Sequence, residues 1–108
     1  MSRAKELHSI TTDETRNVMV DMSAPLELTE VLTGLPDVQS SANLIITDVQ
    51  INSSPLDING KTVPLGQAVL FKASSSAAGQ YNIEIVCTTD QGQTIEGSLI
   101  LNVNNTEY

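Results

Sequence analysis

Apolar and polar residues alternate with a period of two from residue 17 onward, which predicts half-buried β-strands and no helix longer than a turn. The first predicted strand lies near 17–22. Its apolar residues Val18, Val20 and Met22 fall on one face, which we expect to be buried.

Three more segments show the pattern of a β-strand. They are a weaker alternation at 26–33, a run rich in β-branched residues at 44–51, and an apolar segment at 67–73. Small and turn-forming residues at 34–37 and 74–79 predict a turn and a flexible loop or corner between sheets.

Two hairpins are indicated by their turn residues. Asn59-Gly60 separates two short strands within Leu56–Val63, and both residues tolerate the positive φ of a type I′ turn. A second hairpin joins two long strands through residues 90–93, where Gly92 favours a left-handed position. The residues predicted to point inward on its two strands are Tyr81, Ile83, Ile85, Cys87, Ile95, Leu99, Leu101 and Val103.

Seven short strands with turns at intervals of about 8–12 residues favour an all-β, immunoglobulin-like antiparallel β-sandwich. A small open barrel is the alternative architecture. Only 3% of the residues are aromatic, so Val, Ile and Leu must fill the space between the sheets. The immunoglobulin disulfide and its packed tryptophan are absent, because the chain has one cysteine and no tryptophan.

The N-terminal segment differs from the rest of the chain and predicts a division into an extended arm, residues 1–16, and a sandwich domain, residues 17–108. The arm is polar and weakly periodic, with Leu7 and Ile10 as its large apolar residues. Its three basic and three acidic side chains cancel, whereas the remainder has two lysines against ten acids, which is the whole formal charge of −8.

Composition narrows the classes of function. A chain of 108 residues has room for one domain, and its pI near 4.2 disfavours nucleic acid and anionic membrane surfaces as partners. No apolar run is long enough for a transmembrane helix, and the N-terminus has no apolar region of a signal peptide.

The inventory of reactive side chains predicts neither an enzyme nor a cofactor or metal site. His8 is the single histidine and lies in the predicted arm, while Cys87 alternates with core residues. The segment 57–60 superficially resembles a calcium loop, but Pro55 and Gly66 occupy positions where an EF-hand needs acids. We interpret the scattered carboxylates as solubilising groups that discourage edge-to-edge pairing.

Four stretches carry a family resemblance over about residues 5–103: Lys5–Asp13, Asn17–Ser23, Ala78–Ile85 and Thr88–Thr94. The chain resembles small tailed-bacteriophage virion proteins of the fibre–tail adaptor type. Met22 stands where that family has a tryptophan. The second half also resembles bacterial immunoglobulin-like repeats found in adhesins and in phage decoration proteins.

The resemblance implies a non-enzymatic virion component that links neighbouring proteins of the tail, fibre, portal or capsid, with self-association in a ring or lattice. We expect the neutral arm to dock on a neighbouring protein by strand addition. The expected partner-binding residues are Lys5, Leu7, Ile10, Thr11, Thr12 and Arg16.

Two alternative functions are compatible with the same sequence. A capsid decoration protein could use the same sandwich and arm to clamp capsid subunits. A carbohydrate- or receptor-binding module needs exposed aromatic rings, and we expect Phe71 and Tyr81, two of the three aromatic residues, to be in the core.

Overall fold

The computed structural model describes residues 5–11 (as backbone), 15–27, 29–41, 44–75 and 77–104. Within these ranges the protein is all-β, as predicted. Its strands in chain order are β1 (Lys5–Thr11), β2 (Arg16–Asp21), β3 (Leu32–Ser40), β4 (Ile45–Ile51), β5 (Leu56–Ile58), β6 (Lys61–Val63), β7 (Ala68–Ser74), β8 (Gly79–Thr89) and β9 (Thr94–Asn104).

Two sheets form an immunoglobulin-like sandwich, which confirms the predicted fold class. One sheet has the order β1-β9-β8-β3 and the other β2-β7-β4, while β5 and β6 form a separate hairpin. Neighbouring strands are antiparallel except for β1 and β9, which are parallel. Parallel pairing of β1 joins the beginning of the described chain to its end.

The core between the sheets contains the side chains that the alternation placed inward. Val18 and Val20 on β2 meet residues of β7, and the long hairpin β8–β9 contributes the opposite layer. The fully or nearly buried residues of this core are Val18, Val20, Met22, Leu32, Val69, Phe71, Ala73, Tyr81, Ile83, Ile85, Cys87, Ile95, Leu99, Leu101 and Val103. At about 25 cal/mol per Å² of apolar surface removed from water, this layer is the main stabilising contribution.

Tyr81 forms a tyrosine corner at the start of β8. Its hydroxyl donates a hydrogen bond of 2.8 Å to the carbonyl oxygen of Ala77, four residues earlier, and lies 3.2 Å from the hydroxyl of Ser75. In antibody domains the corresponding tyrosine precedes a disulfide cysteine by two residues. Ile83 occupies that position here and is fully buried, so apolar packing replaces the disulfide.

The Asn59-Gly60 turn is confirmed: β5 and β6 pair across it, and φ is +53° at Asn59 and +80° at Gly60. The strand predicted at 26–33 is wrong, since its described residues 26, 27 and 29–31 lie outside any strand and only its last two residues belong to β3. The turn predicted at 34–37 is a bulge inside β3, because pairing to β8 breaks between Thr33 and Asp37 and then resumes.

Part of the segment predicted as an extended arm is a strand of the main sheet. Lys5–Thr11 pairs along Ser98–Asn104 of β9, so the backbone groups on one side of this strand are hydrogen-bonded to the protein's own sheet. The rest of residues 1–16 lies outside the described residues, except for Thr15 and Arg16.

Candidate partner-binding edges and sheet face

The two sheets present four edge strands, and two of them carry irregularities that oppose pairing with another chain. On β3, residues 34–36 bulge out of the ladder and Leu35 is 79% exposed. On β4, the pairing to β7 shifts between Thr47 and Gln50, where Asp48 has a φ of +55°. Such bulges bend the strand and interrupt its row of backbone donors and acceptors.

The edge of β2 is tied at its C-terminal end to the β5–β6 hairpin. Lys61 Nζ lies 3.1 Å from Asp21 Oδ2 and donates a hydrogen bond of 3.0 Å to Ser23 Oγ. Burial of Asp21 opposes its ionisation, but hydrogen bonds from Ser23 and the charge of Lys61 outweigh this effect and lower the pKa of the carboxyl. This cluster is therefore an electrostatic clamp between β2 and β6.

The edge formed by β1 has no bulge in its described backbone. Its seven residues follow β9 in one unbroken register, without a bulge, and the segment contains no proline. An uninterrupted edge of this kind is a template for a further strand.

The predicted partner-binding residues are brought together only in part. Four of them belong to this edge strand: Lys5, Leu7, Ile10 and Thr11. Arg16 begins β2 in the opposite sheet, in register with Ala73, and is exposed. Thr12 lies outside the described residues.

The outer face of the β2-β7-β4 sheet carries an open groove of about 530 Å³ that the sequence did not reveal. Met19 and Leu70, directly opposite each other on β2 and β7, form its apolar part. Lys72 Nζ lies 3.3 Å from Asp48 Oδ2 at its polar side. The bulge in β4 opens this face, and the two charged groups are exposed and neutralise each other.

A buried carboxylate, Glu30, lies at one end of the sandwich and was not predicted. Only 1% of it is exposed. Its Oε2 accepts a hydrogen bond of 2.5 Å from the Thr89 hydroxyl, and its Oε1 accepts one of 3.0 Å from the backbone amide of Glu27. Its backbone carbonyl oxygen accepts a third, of 2.9 Å, from the side-chain amide of Gln67.

This Glu30 network joins the loop before β3 to the turn between β8 and β9. The same connection is reinforced by Val31 and Asp90: the Val31 amide donates to Asp90 Oδ1, and the Asp90 amide donates to the Val31 carbonyl. Every buried polar side-chain atom in the described residues has a hydrogen-bond partner. Glu30 therefore has no orphaned group aimed at a ligand, and its role is to lock the end of the sandwich. No local sequence signal marked it, because its burial depends on Thr89 and Gln67, which are distant in the chain.

Among the residues whose side chains the structure describes, the chemically reactive groups are dispersed or inaccessible. Cys87 is buried, and burial raises the pKa of its thiol to about 11. Asp57 accepts a hydrogen bond of 2.9 Å from Thr62 across the hairpin. In the described ranges, no three acidic, histidine or cysteine side chains lie close enough together to hold a metal ion. The same ranges contain no helix that could cross a membrane.

Comparisons with known proteins assign no family. No family model matches the chain, and no curated protein matches it. Among solved structures, the solution structure of amebosin is similar, with a TM-score of 0.49 and 16% sequence identity over 91% of this chain and 88% of that chain.

Proposed function

We propose that this chain is a non-enzymatic structural component of a tailed-phage virion, of the fibre–tail adaptor type that its sequence resembles. It docks through its N-terminal segment and links neighbouring virion proteins. The single observation that carries the proposal is the edge at β1, which has no bulge or proline in its described residues and coincides with the segment Lys5–Asp13 in the resemblance. Strand addition there uses backbone groups and needs no catalytic side chain.

Charge and burial support the same assignment. The sandwich from residue 17 onward has two lysines against ten acids, whereas residues 1–16 are neutral, so the N-terminal segment is where another protein meets the least net charge. Phe71 and Tyr81 are buried and offer no platform for a sugar ring, which weighs against a carbohydrate-binding module.

The test is incorporation of a truncated chain into particles. Deleting residues 1–12 removes β1 but leaves β8 and β9 paired with each other and both apolar layers in place. We expect a folded protein, checked by its far-UV circular dichroism, that is depleted at least about tenfold from purified virions, as loss of a strand-addition interface predicts. Normal incorporation of the truncated chain into particles would contradict the proposal.

A matched control keeps the N-terminal segment and alters another exposed position. Leu35→Ser, on the bulge of β3, changes the most exposed large apolar residue described and should enter particles normally. The amount of protein per particle, read against the major capsid protein on a stained gel, separates an adaptor from a decoration protein. An amount comparable to capsid would reassign the chain to decoration.

A further inference from the structure

The strand that completes the main sheet comes from the far end of the chain. Lys5 is in register with Ser98 and Thr11 with Asn104, so no local connection holds β1 beside β9. The long hairpin, by contrast, pairs residues 79–88 with 94–103 through a tight turn. Contacts between distant parts of a chain form later than local ones. We therefore expect the long hairpin to form before β1 pairs with β9.

We infer that a second copy of this chain supplies this strand: Lys5–Thr11 of one copy pairs with Ser98–Asn104 of another. The inference rests on the proposed function, since it names one partner of the same N-terminal segment. The exchanged strand has the sequence that the edge already accepts in the closed protein, so every backbone hydrogen bond of the parallel ladder is regained between copies. Exchange of an identical element is a low-cost route to assembly for this reason.

Charge favours this contact over others between two copies. Two sandwiches that each carry the full −8 repel one another when their faces meet. The exchanged segment belongs to the neutral residues 1–16, and it enters beside an acidic domain without adding to that repulsion.

The length of the connection fixes how close the exchanging copies lie. Four residues, 12–15, separate β1 from β2. Fully extended, the step from Thr11 to Arg16 spans at most about 17 Å, while stacked sheets lie about 10 Å apart. The connection therefore permits the closed protein, and in the exchanged form it holds neighbouring sandwiches side by side. Because each copy donates one strand and accepts one, exchange generates closed pairs, rings or filaments.

The register between β1 and β9 allows a direct test by disulfide trapping. Ser9 is in register with Asn102, and paired strands lie about 4.8 Å apart, within the Cα separation of about 4.4–6.8 Å that a disulfide bridges. Two full-length proteins are prepared in a Cys87→Ala background, one with Ser9→Cys and one with Asn102→Cys, and one of them carries a tag. They are mixed unfolded, refolded together and oxidised.

Exchange predicts a disulfide-linked heterodimer, identified by its mass. Thr94→Cys is the control, because Thr94 is exposed on the same strand β9 but lies outside the register of β1. We expect at least about tenfold more heterodimer with Asn102→Cys than with Thr94→Cys, as expected when pairing sets the effective concentration.

A single chain carrying both Ser9→Cys and Asn102→Cys reports on the closed protein. If this chain forms its internal disulfide while the mixture yields no heterodimer above the control, β1 pairs only with its own sheet and the inference is overturned. That result leaves the particle-incorporation test untouched. Conversely, a heterodimer together with normal incorporation of the truncated chain would retain strand exchange and overturn the virion proposal.

Discussion

The hydroxyl of Thr89 donates a hydrogen bond of 2.5 Å to Oε2 of Glu30, fifty-nine residues earlier in the chain. Both residues are buried, at 5% and 1% exposure. The Thr89 oxygen in turn accepts hydrogen bonds from the amides of Gln91 and Gln93. One threonine therefore satisfies a buried carboxylate and organises the turn between β8 and β9.

Thr89→Val removes the only side-chain donor shown to Glu30 Oε2 in the described residues while preserving shape. We expect the free energy of unfolding to fall by about 1–3 kcal/mol, because a buried carboxyl oxygen loses its hydrogen-bond donor. Thr88→Val is the control: Thr88 is exposed, and we expect a change within about 0.5 kcal/mol. Urea unfolding followed by circular dichroism measures both. Equal effects of the two substitutions would show that Glu30 does not depend on Thr89.

Gly66 and Gly60 form a matched pair for separating backbone strain from a steric clash. Both have a φ of +80°. A Cβ added at Gly60 meets nothing within 4 Å, whereas one at Gly66 would lie 2.9 Å from Cβ of Val31. Gly60→Ala should lower the free energy of unfolding by about 1–2 kcal/mol through its left-handed backbone. Gly66→Ala should lower it by about 1–3 kcal/mol more through overpacking.

The double variant Val31→Gly with Gly66→Ala tests the cause of that difference. Val31→Gly removes the Cβ that the new side chain would meet at 2.9 Å, together with the Cγ1 at the same distance, so we expect the additional loss at Gly66 to shrink. A double-mutant cycle measured by urea unfolding quantifies the coupling. Additive effects would exclude the clash with Val31 as the reason.

The Asp21–Lys61 clamp predicts an acid-dependent loss of stability. The pKa of Asp21 is lower in the folded protein than its ordinary value of 3.8. The ionised carboxylate therefore stabilises the fold above that ordinary value, and its contribution is lost as the pH falls through the lowered pKa. Asp21→Asn should destabilise the protein near neutral pH, with a deficit that disappears in strong acid.

Lys61→Met should also lower the free energy of unfolding near neutral pH, by less than Asp21→Asn, and this deficit should likewise shrink in acid. The reason is that the substitution removes the charge and one hydrogen bond that lower the pKa of Asp21. Urea unfolding at a series of acid pH values measures both variants. A deficit of Asp21→Asn that stays constant across the whole range would contradict the assignment of the clamp.

Cys87 should resist thiol reagents while the protein is folded. With a pKa of about 11, its thiolate fraction at pH 8 is about 10⁻³, against about 0.2 for an ordinary thiol with a pKa near 8.5. We expect reaction with a chromogenic disulfide to be at least about a hundredfold slower than that of an exposed thiol. Thr94→Cys in a Cys87→Ala background supplies that exposed thiol. Comparable rates in the native proteins would place Cys87 outside the core.

Local patterns were sufficient to predict the fold class and most of the core. Alternation identified the inward faces of β2, β8 and β9, and the Asn59-Gly60 pair identified a turn whose geometry depends on its own two residues. These features are encoded by neighbours in sequence, because side-chain direction in a strand has a period of two.

The features that the pattern missed depend on distant partners. Glu30 is buried because Thr89 and Gln67 reach it from other parts of the chain, and its loop was therefore mistaken for a strand. The groove beside Asp48 arises from a shift in pairing between β4 and β7. A weakly periodic N-terminal segment likewise gives no indication that its strand partner lies some ninety residues away, beside Ser98.

Parallel pairing of β1 and β9, the first and last strands described, gives the molecule a mechanical polarity. Tension applied before Lys5 pulls β1 toward its own start, while tension applied after Asn104 pulls β9 the opposite way along the same ladder. The evenly spaced bonds of a parallel pair are then loaded together in shear, so they must rupture collectively and cannot unzip one at a time. The sandwich is thereby built to transmit a stretching load along its strands before it opens.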